Sequence, residues 1–311
     1  STNSVEIVYA FAIGYMGLAF GSFLNVCIYR MPLGRSVVAP GSACPGCKRP
    51  IAFYDNIPIF SWLILRGRCR HCKTKISVRY LVIEALTGAL FLGCYAYFGL
   101  TLATLKYCVF GFLLLGLIFT DAATKLLPDQ LTLPGLALGL VFSLLVPVND
   151  IASQFLPGVL DLPFSADVSA RLFSLLDSLL GAALGASFIY GAGAMYLRWR
   201  GTEGMGFGDV KLMAMVGSFL GVKLSVFTIF SGSLAGSIFG LATVLMVWIK
   251  RTHRFARRYS SLQAARRRGW QSAQMMYRHY QMPFGVFLGS MALLALFVGN
   301  QFLRWYGRFW W

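Results

Sequence analysis

Apolar runs long enough to cross about 30 Å of hydrocarbon recur at 6–28, 81–99, 102–120, 131–148, 172–196, 226–249 and 284–303, with a shorter one at 210–222. Runs of this length constrain the fold severely. In lipid no water is available to backbone N–H and C=O groups, so each run must satisfy them internally as a helix. The composition, 57% hydrophobic and 13% charged, rules out a soluble domain. The expectation is an all-α polytopic membrane protein with about eight transmembrane helices. The first run has no basic leader and no A-x-A exit, so it reads as a retained anchor rather than a cleavable signal peptide.

The formal charge is +17, but its placement argues against a nucleic-acid partner. Segment 30–80 holds ten Lys and Arg against the single acid Asp55, and segment 250–281 holds nine against none. Basic loops of this kind mark the cytoplasmic side. With 30–80 inside, alternation places 121–130, 197–209 and 250–281 inside as well and both termini outside. The acidic segment 149–170, with Asp150, Asp161 and Asp167, agrees with an external position. Trp305, Trp310 and Trp311 suit a membrane interface. Segment 250–281 has arginines among Phe255, Tyr259, Trp270, Tyr277 and Tyr280, and reads as a surface for anionic lipid.

The same threading brings two carboxylates to one boundary. Asp121 ends one apolar run and Asp209 begins another, after Gly206-Phe207-Gly208. An ionisable group at the edge of hydrocarbon costs roughly 3 kcal/mol or more without a partner or cavity, so it marks function by default. Two carboxylates that share a site cannot both ionise easily, which supplies one acid and one base for peptide hydrolysis. From helix ends alone, Asp121 at a C-terminus is the expected acid and Asp209 at an N-terminus the expected base. Asp129 with Thr132 reads as a helix cap, Asp177 as structural, and Lys211 as snorkelling to the interface. The small residues from Gly181 to Gly193 predict close helix packing.

Between the first and second runs lie Cys44-Pro45-Gly46-Cys47 and Cys69-Arg70-His71-Cys72, separated by 21 residues. Paired C-x-x-C turns at this spacing suit a closed tetrahedral zinc shell. Two disulfides are the alternative, which a reducing cytosol disfavours. Cys27, Cys94 and Cys108 fall in apolar runs and read as small buried hydrophobes.

Gly21-Ser22-Phe23-Leu24-Asn25-Val26 with Tyr29-Arg30-Met31-Pro32, the two cysteine turns around Asp55-Asn56-Ile57-Pro58, and Arg79-Tyr80 with Glu84 resemble the N-terminal half of type IV prepilin peptidases, the GxGD-type membrane aspartyl proteases. Asp121 with Leu126-Leu127-Pro128-Asp129, Asp177-Ser178-Leu179-Leu180-Gly181, the run from Glu203 to Leu212 and Pro283-Phe284-Gly285 resemble the second half in order. Leu81 and Val286 stand where the family commonly has proline, and segment 250–281 is longer than usual. The resemblance implies a bacterial inner-membrane enzyme that removes the basic leader of type IV prepilins or pseudopilins on the cytoplasmic side, in pilus or type II secretion systems. It also implies N-methylation of the new terminus, commonly phenylalanine, with S-adenosylmethionine as donor. Carried over, Asp121 and Asp209 are the protease pair and Cys44, Cys47, Cys69 and Cys72 the ligands of one structural zinc.

The division expected is a first helix at 1–29, a cytoplasmic four-cysteine module at 30–80 associated with methyl transfer, and a membrane protease domain at 81–311. No glycine-rich nucleotide loop occurs in 30–80, so a Rossmann-type methyltransferase is not expected. Asn25 and Glu84, at matching depth in the first two helices, are the candidates for holding the amine or the sulfonium donor, with a plain interhelical contact as the alternative. Two other functions are weighed: a peptidase without methyl transfer, and a proton-coupled transporter, for which no internal repeat is found.

Overall fold

The computed structural model describes residues 2–148, 150–158, 163–202, 204–257, 261–279 and 282–307. Asp161, Glu203, Tyr259, Tyr280, Trp310 and Trp311, named above, lie outside the described residues, as does the side chain of Tyr277. The elements are α1 (Thr2–Arg30), α2 (Phe60–Ile64), α3 (Val78–Phe98), α4 (Leu102–Thr124), α5 (Asp129–Leu145), α6 (Ile151–Phe155), α7 (Ala166–Arg200), α8 (Phe207–Ala256), α9 (Leu262–His279), α10 (Phe284–Leu294) and α11 (Asn300–Gly307). A five-residue π-helical stretch, Ala295–Gly299, joins the last two. Among the described residues there are only two isolated β-bridges, both in the cysteine module.

Among the described residues six helices are long and apolar enough to span a membrane. The eight expected runs all fall in helices, and the lower count has two sources. The fourth apolar run forms α5, only 17 residues long and with Pro134 inside it. The runs at 210–222 and 226–249 merge into the 50-residue α8, which is interrupted by Gly221 at φ 78°, ψ −169°.

Neighbour contacts show that α8 folds back at Gly221. Its first arm lies antiparallel to α7, with Gly217 against Gly181 and Met213 against Gly185. Its second arm lies antiparallel to α10 and α11, pairing Leu224 with Gly299, Phe227 with Phe302 and Phe239 with Phe287. Phe230, beyond the bend, sits 6.5 Å from Phe188 of α7, so both arms occupy the same depth. A left-handed φ of this kind suits glycine, and a Cβ at 221 would also lie 2.5 Å from Asp150 Oδ2.

The centre of the bundle is α4 with the first arm of α8. Phe110 and Phe219 stack there at 4.7 Å, and the run Leu212 to Val222 is almost wholly buried. Lipid tails are as apolar as leucine, so close van der Waals packing must hold these helices together, and small residues permit it. Gly181 and Gly217 touch backbone to backbone, whereas a Cβ on Gly191 of the same small-residue stripe would have nothing within 4 Å. Gly217→Val is therefore expected to lower stability by about 1–3 kcal/mol, read as a lower thermal midpoint in detergent. Gly191→Ala serves as the neutral comparison.

The first two spanning helices form a second glycine seam. Gly17 packs on Gly88, and a Cβ on Gly21 would lie 2.7 Å from the Glu84 Cα. The closeness sets Asn25 of α1 beside the first turn of α3.

Candidate active site

Asp121 occupies the last turn of α4, which Lys125 closes in the left-handed conformation, its N–H donating to the Asp121 carbonyl at 2.8 Å. Asp209 is the third residue of α8, reached through extended Gly206. The two aspartates are only 5% and 7% exposed, and they are near enough to repel one another electrostatically. Leu127 fills the space beside them, with its Cβ against Gly208 and its Cδ1 against Gly285; a methyl at either glycine would come within about 3 Å of it.

A third helix reaches the pair. The Val286 N–H in the first turn of α10 donates to Asp121 Oδ2 at 3.0 Å, and the Gly285 N–H also serves this carboxylate. A Cβ on Gly285 would lie 3.0 Å from that oxygen. Each carboxylate thus sits at a helix N-terminus, Asp209 at its own and Asp121 at that of α10. The helix-end argument that made Asp121 the acid and Asp209 the base fails for this reason, and the two are treated as one titrating unit.

Two neighbouring expectations also change. Asp129 makes no cap: Pro128 is the N-cap of α5, and the Asp129 carboxylate takes the Lys211 ammonium at 2.7 and 2.8 Å. Lys211 therefore ties α8 to α5 two residues from Asp209 instead of snorkelling. The Thr132 hydroxyl is buried without a hydrogen-bond partner. Asp177 lies at the other end of α7, far from the pair, and is occupied by backbone N–H groups near α6.

The four cysteines converge. The Sγ atoms of Cys44, Cys47, Cys69 and Cys72 all lie within 4.8 Å of one another, and Cys44 and Cys72 approach to 3.6 Å. A tetrahedral shell with zinc–sulfur bonds of about 2.3 Å sets the sulfurs about 3.8 Å apart, so the set fits zinc. None of the four is in a disulfide. Both turns have one construction, offset by 25 residues: Cys44 N–H donates to the Arg49 carbonyl and Cys69 N–H to that of Thr74, while Lys48 and Lys73 donate back to Cys44 and Cys69. Lys48 and Lys73 take φ of 59° and 58°, and the bridges Ala43–Pro50 and Arg68–Lys75 close the two loops. Hydrogen bonds from the Thr74 hydroxyl and backbone pull the Cys72 thiol down to about 6, which favours the thiolate a metal needs. Nearby, the Arg70 guanidinium holds the Asp55 carboxyl below its usual range through a bidentate pair.

Asn25 and Glu84 meet where this module sits on α1 and α3. Asn25 Nδ2 donates to the Gly21 and Tyr80 carbonyls, both at 3.2 Å, while its Oδ1 is buried without a partner. Glu84 Oε2 accepts the Ile59 N–H at 2.8 Å. Ile59 is β-branched and held at φ 62°, ψ −55°, a conformation that costs on the order of 1–3 kcal/mol. Nothing in the sequence marks Ile59 for this role, because it acts through a main-chain group; the one signal at Val286 is that it replaces the proline common in the family, which leaves an N–H free to donate.

A helical membrane bundle with two buried carboxylates at one junction of three helices, together with a four-cysteine set that could hold a metal ion, has the build of a membrane aspartic peptidase. The bacterial peptidase A24 N-terminal domain profile matches residues 15–98, and the type IV leader peptidase family profile matches 108–241. The chain is 38% identical to the prepilin leader peptidase/N-methyltransferase of Neisseria gonorrhoeae over 76% of its length and 82% of the relative's. Identity is 31% to that of Aeromonas hydrophila, over 93% and 90% of the two chains. It is 37% to that of Myxococcus xanthus, where the match spans 62% of the relative's length. No solved structure matches. The chain belongs to the type IV leader peptidase family.

Proposed function

We infer that the chain is a bifunctional prepilin leader peptidase and N-methyltransferase of the bacterial inner membrane. It cuts the basic leader from type IV prepilins or pseudopilins at the cytoplasmic face, then methylates the new N-terminal residue, commonly phenylalanine. The observation that carries the reading is the Asp121–Asp209 pair, buried together at the start of α8 in a chain whose relatives bear that name. One carboxylate takes a proton from water as its oxygen bonds to the scissile carbonyl carbon, and the other donates to the carbonyl oxygen. The C–N bond then breaks as the nitrogen gains a proton. Gly208 and Gly285 keep side chains out of the space in front of the carboxylates.

Residues 30–80 form the zinc module and 81–311 the membrane protease domain. The four cysteines hold one structural zinc. S-adenosylmethionine would supply the methyl group, with Asn25 and Glu84 holding the amine or the sulfonium in place. Glu84 and the open Oδ1 of Asn25 suit the cationic amine or the sulfonium, because both are acceptors at the seam below the module. Exposed apolar side chains along the spans meet lipid, and the Lys and Arg of 250–281 face anionic headgroups; no nucleic acid is involved. The termini face outward. A peptidase lacking methyl transfer is disfavoured, since the cysteine set is complete.

The test is direct. Purified protein is incubated with a purified prepilin and S-adenosylmethionine, and the product is weighed for leader loss and one added methyl. Glu84→Gln keeps an acceptor for the Ile59 N–H but removes the charge. It is expected to cut at the normal rate and methylate about 10- to 100-fold more slowly, the worth of one charge-assisted hydrogen bond. Normal methylation by this variant would remove Glu84 from the methyl-transfer site.

A further inference from the structure

At the end of the bundle far from Asp121 and Asp209 lies a buried polar clasp that peptide hydrolysis does not use. Asp150, 2% exposed, comes from the segment between α5 and α6. Its Oδ2 accepts the Lys223 N–H at 3.0 Å, and the Val222 N–H also serves this carboxylate. These are the first N–H groups after the bend at Gly221, which no carbonyl of the preceding arm can satisfy. Asp150 therefore caps the second arm of α8 from about 70 residues away in sequence, as an N-cap aspartate does for its own helix. The Lys223 ammonium lies 3.6 Å from Asp150 Oδ1 and 2.8 Å from Gln154 Oε1.

The cap is itself held from α7. Asp177, fully buried, takes the Ala152 N–H at 2.6 Å on Oδ1, and on Oδ2 the Ser153 N–H at 2.9 Å, the Ser153 hydroxyl at 2.7 Å and the Asp150 N–H at 3.3 Å. Ser174, one turn earlier, donates to the Ser143 carbonyl and accepts the Val148 N–H. On the opposite side the buried Lys106 ammonium donates to the Val146 carbonyl at 3.3 Å. Apart from the Ser174–Ser143 bond, the bonds in the set converge on residues 146–148 and 150–154, which touch α8 where its direction reverses.

We propose that Asp150, seated by Asp177, is a positioning residue for Asp209. Twelve residues of helix, about 18 Å at 1.5 Å per residue, separate Gly221 from Asp209 without a break. Glycine contacts with α7 and the Lys211–Asp129 pair hold the near part of this arm. The clasp fixes its far end. A shift of about 1 Å there is carried along the helix to the carboxylate, and such misplacements cost up to about a hundredfold in rate.

The inference rests on Asp209 belonging to the protease pair, so Asp209→Asn is run alongside. Asp150→Ala is expected to lower kcat for prepilin cleavage about tenfold per folded molecule, with KM within about twofold, because alignment rather than substrate binding is lost. Methylation of an already trimmed peptide should be unchanged. Asp150→Asn, which keeps an acceptor for the Lys223 N–H, should return kcat to within about threefold of the unaltered protein. If the alanine variant does not accumulate folded, Asp177→Asn decides, with the same fall in kcat at constant KM expected. Unchanged kcat in Asp150→Ala, or in Asp177→Asn where that variant decides, overturns the proposal, as does an asparagine at 150 that is no better than alanine. Cleavage surviving in Asp209→Asn would instead overturn the assignment of the protease pair.

Discussion

Asparagine at position 209, or at 121, is expected to reduce prepilin cleavage by at least about 10³-fold while leaving a folded protein, since asparagine is nearly isosteric but cannot exchange a proton. The main-chain partners support the second half of the expectation. In Asp121→Asn the side-chain amide oxygen can still accept the Val286 N–H that Asp121 Oδ2 now takes, so α10 should stay in place. The two substitutions together should cost little more than either alone, because members of one catalytic unit are strongly non-additive. Methyl transfer to a trimmed peptide should survive in Asp209→Asn, since Asn25, Glu84 and the cysteine module sit on α1, α3 and their connection. The assay is cleavage of purified prepilin followed by mass. Near-normal cleavage in either variant removes that aspartate from the reaction, and loss of methyl transfer in a folded Asp209→Asn protein would mean that the two activities share one site.

Metal analysis should find about one zinc per chain, and Cys44→Ser or Cys72→Ser should lose it. The expected effect is large because the module has almost no core of its own. Phe53, Tyr54, Phe60 and Ile64 are exposed, while Cys44 and Cys69 are among its few buried side chains. Binding a structural zinc is worth on the order of 10 kcal/mol in small domains of this kind, more than such a core can replace. Chelation should therefore unfold 30–80, visible as rapid proteolysis at its many basic residues, while the spanning helices remain intact. A stable protein with no metal and all four thiols oxidised would overturn the zinc assignment. Loss of methylation with retention of cleavage in Cys72→Ser would tie the module to the second activity.

The parts of this arrangement that were legible in the sequence depend on solvent and charge. Lipid forces apolar runs into helices, and the basic loops fix parity, so Asp121 and Asp209 could be set at one boundary without any contact being known. Cysteine spacing carried the convergence of the four cysteines in the same way. What was not legible depends on main-chain geometry and on partners distant in sequence. The reversal within 207–256 was legible as the gap between the apolar runs at 210–222 and 226–249, but the residue that makes it, Gly221 at φ 78°, reads in the sequence as one glycine among many. The α10 N-terminus cancels the helix-end difference between the two aspartates because Val286 reaches Asp121 from 165 residues away, with Gly285 beside it. Asp129 reads as a cap, and Lys211, 82 positions later, takes its carboxylate instead.

The bond between the Val286 N–H and Asp121 has a consequence for how this chain can vary. The register of α10 is fixed by the carboxylate it sits on, so the stretch that connects α10 to α8 is not needed to measure out its position. Residues added to or removed from the connection between α8 and α10 leave the junction at Asp121 where it was. Insertion tolerance and the placement of the α10 N-terminus are thereby assigned to different parts of one connection in this chain, through a main-chain N–H that a proline at 286 would not supply.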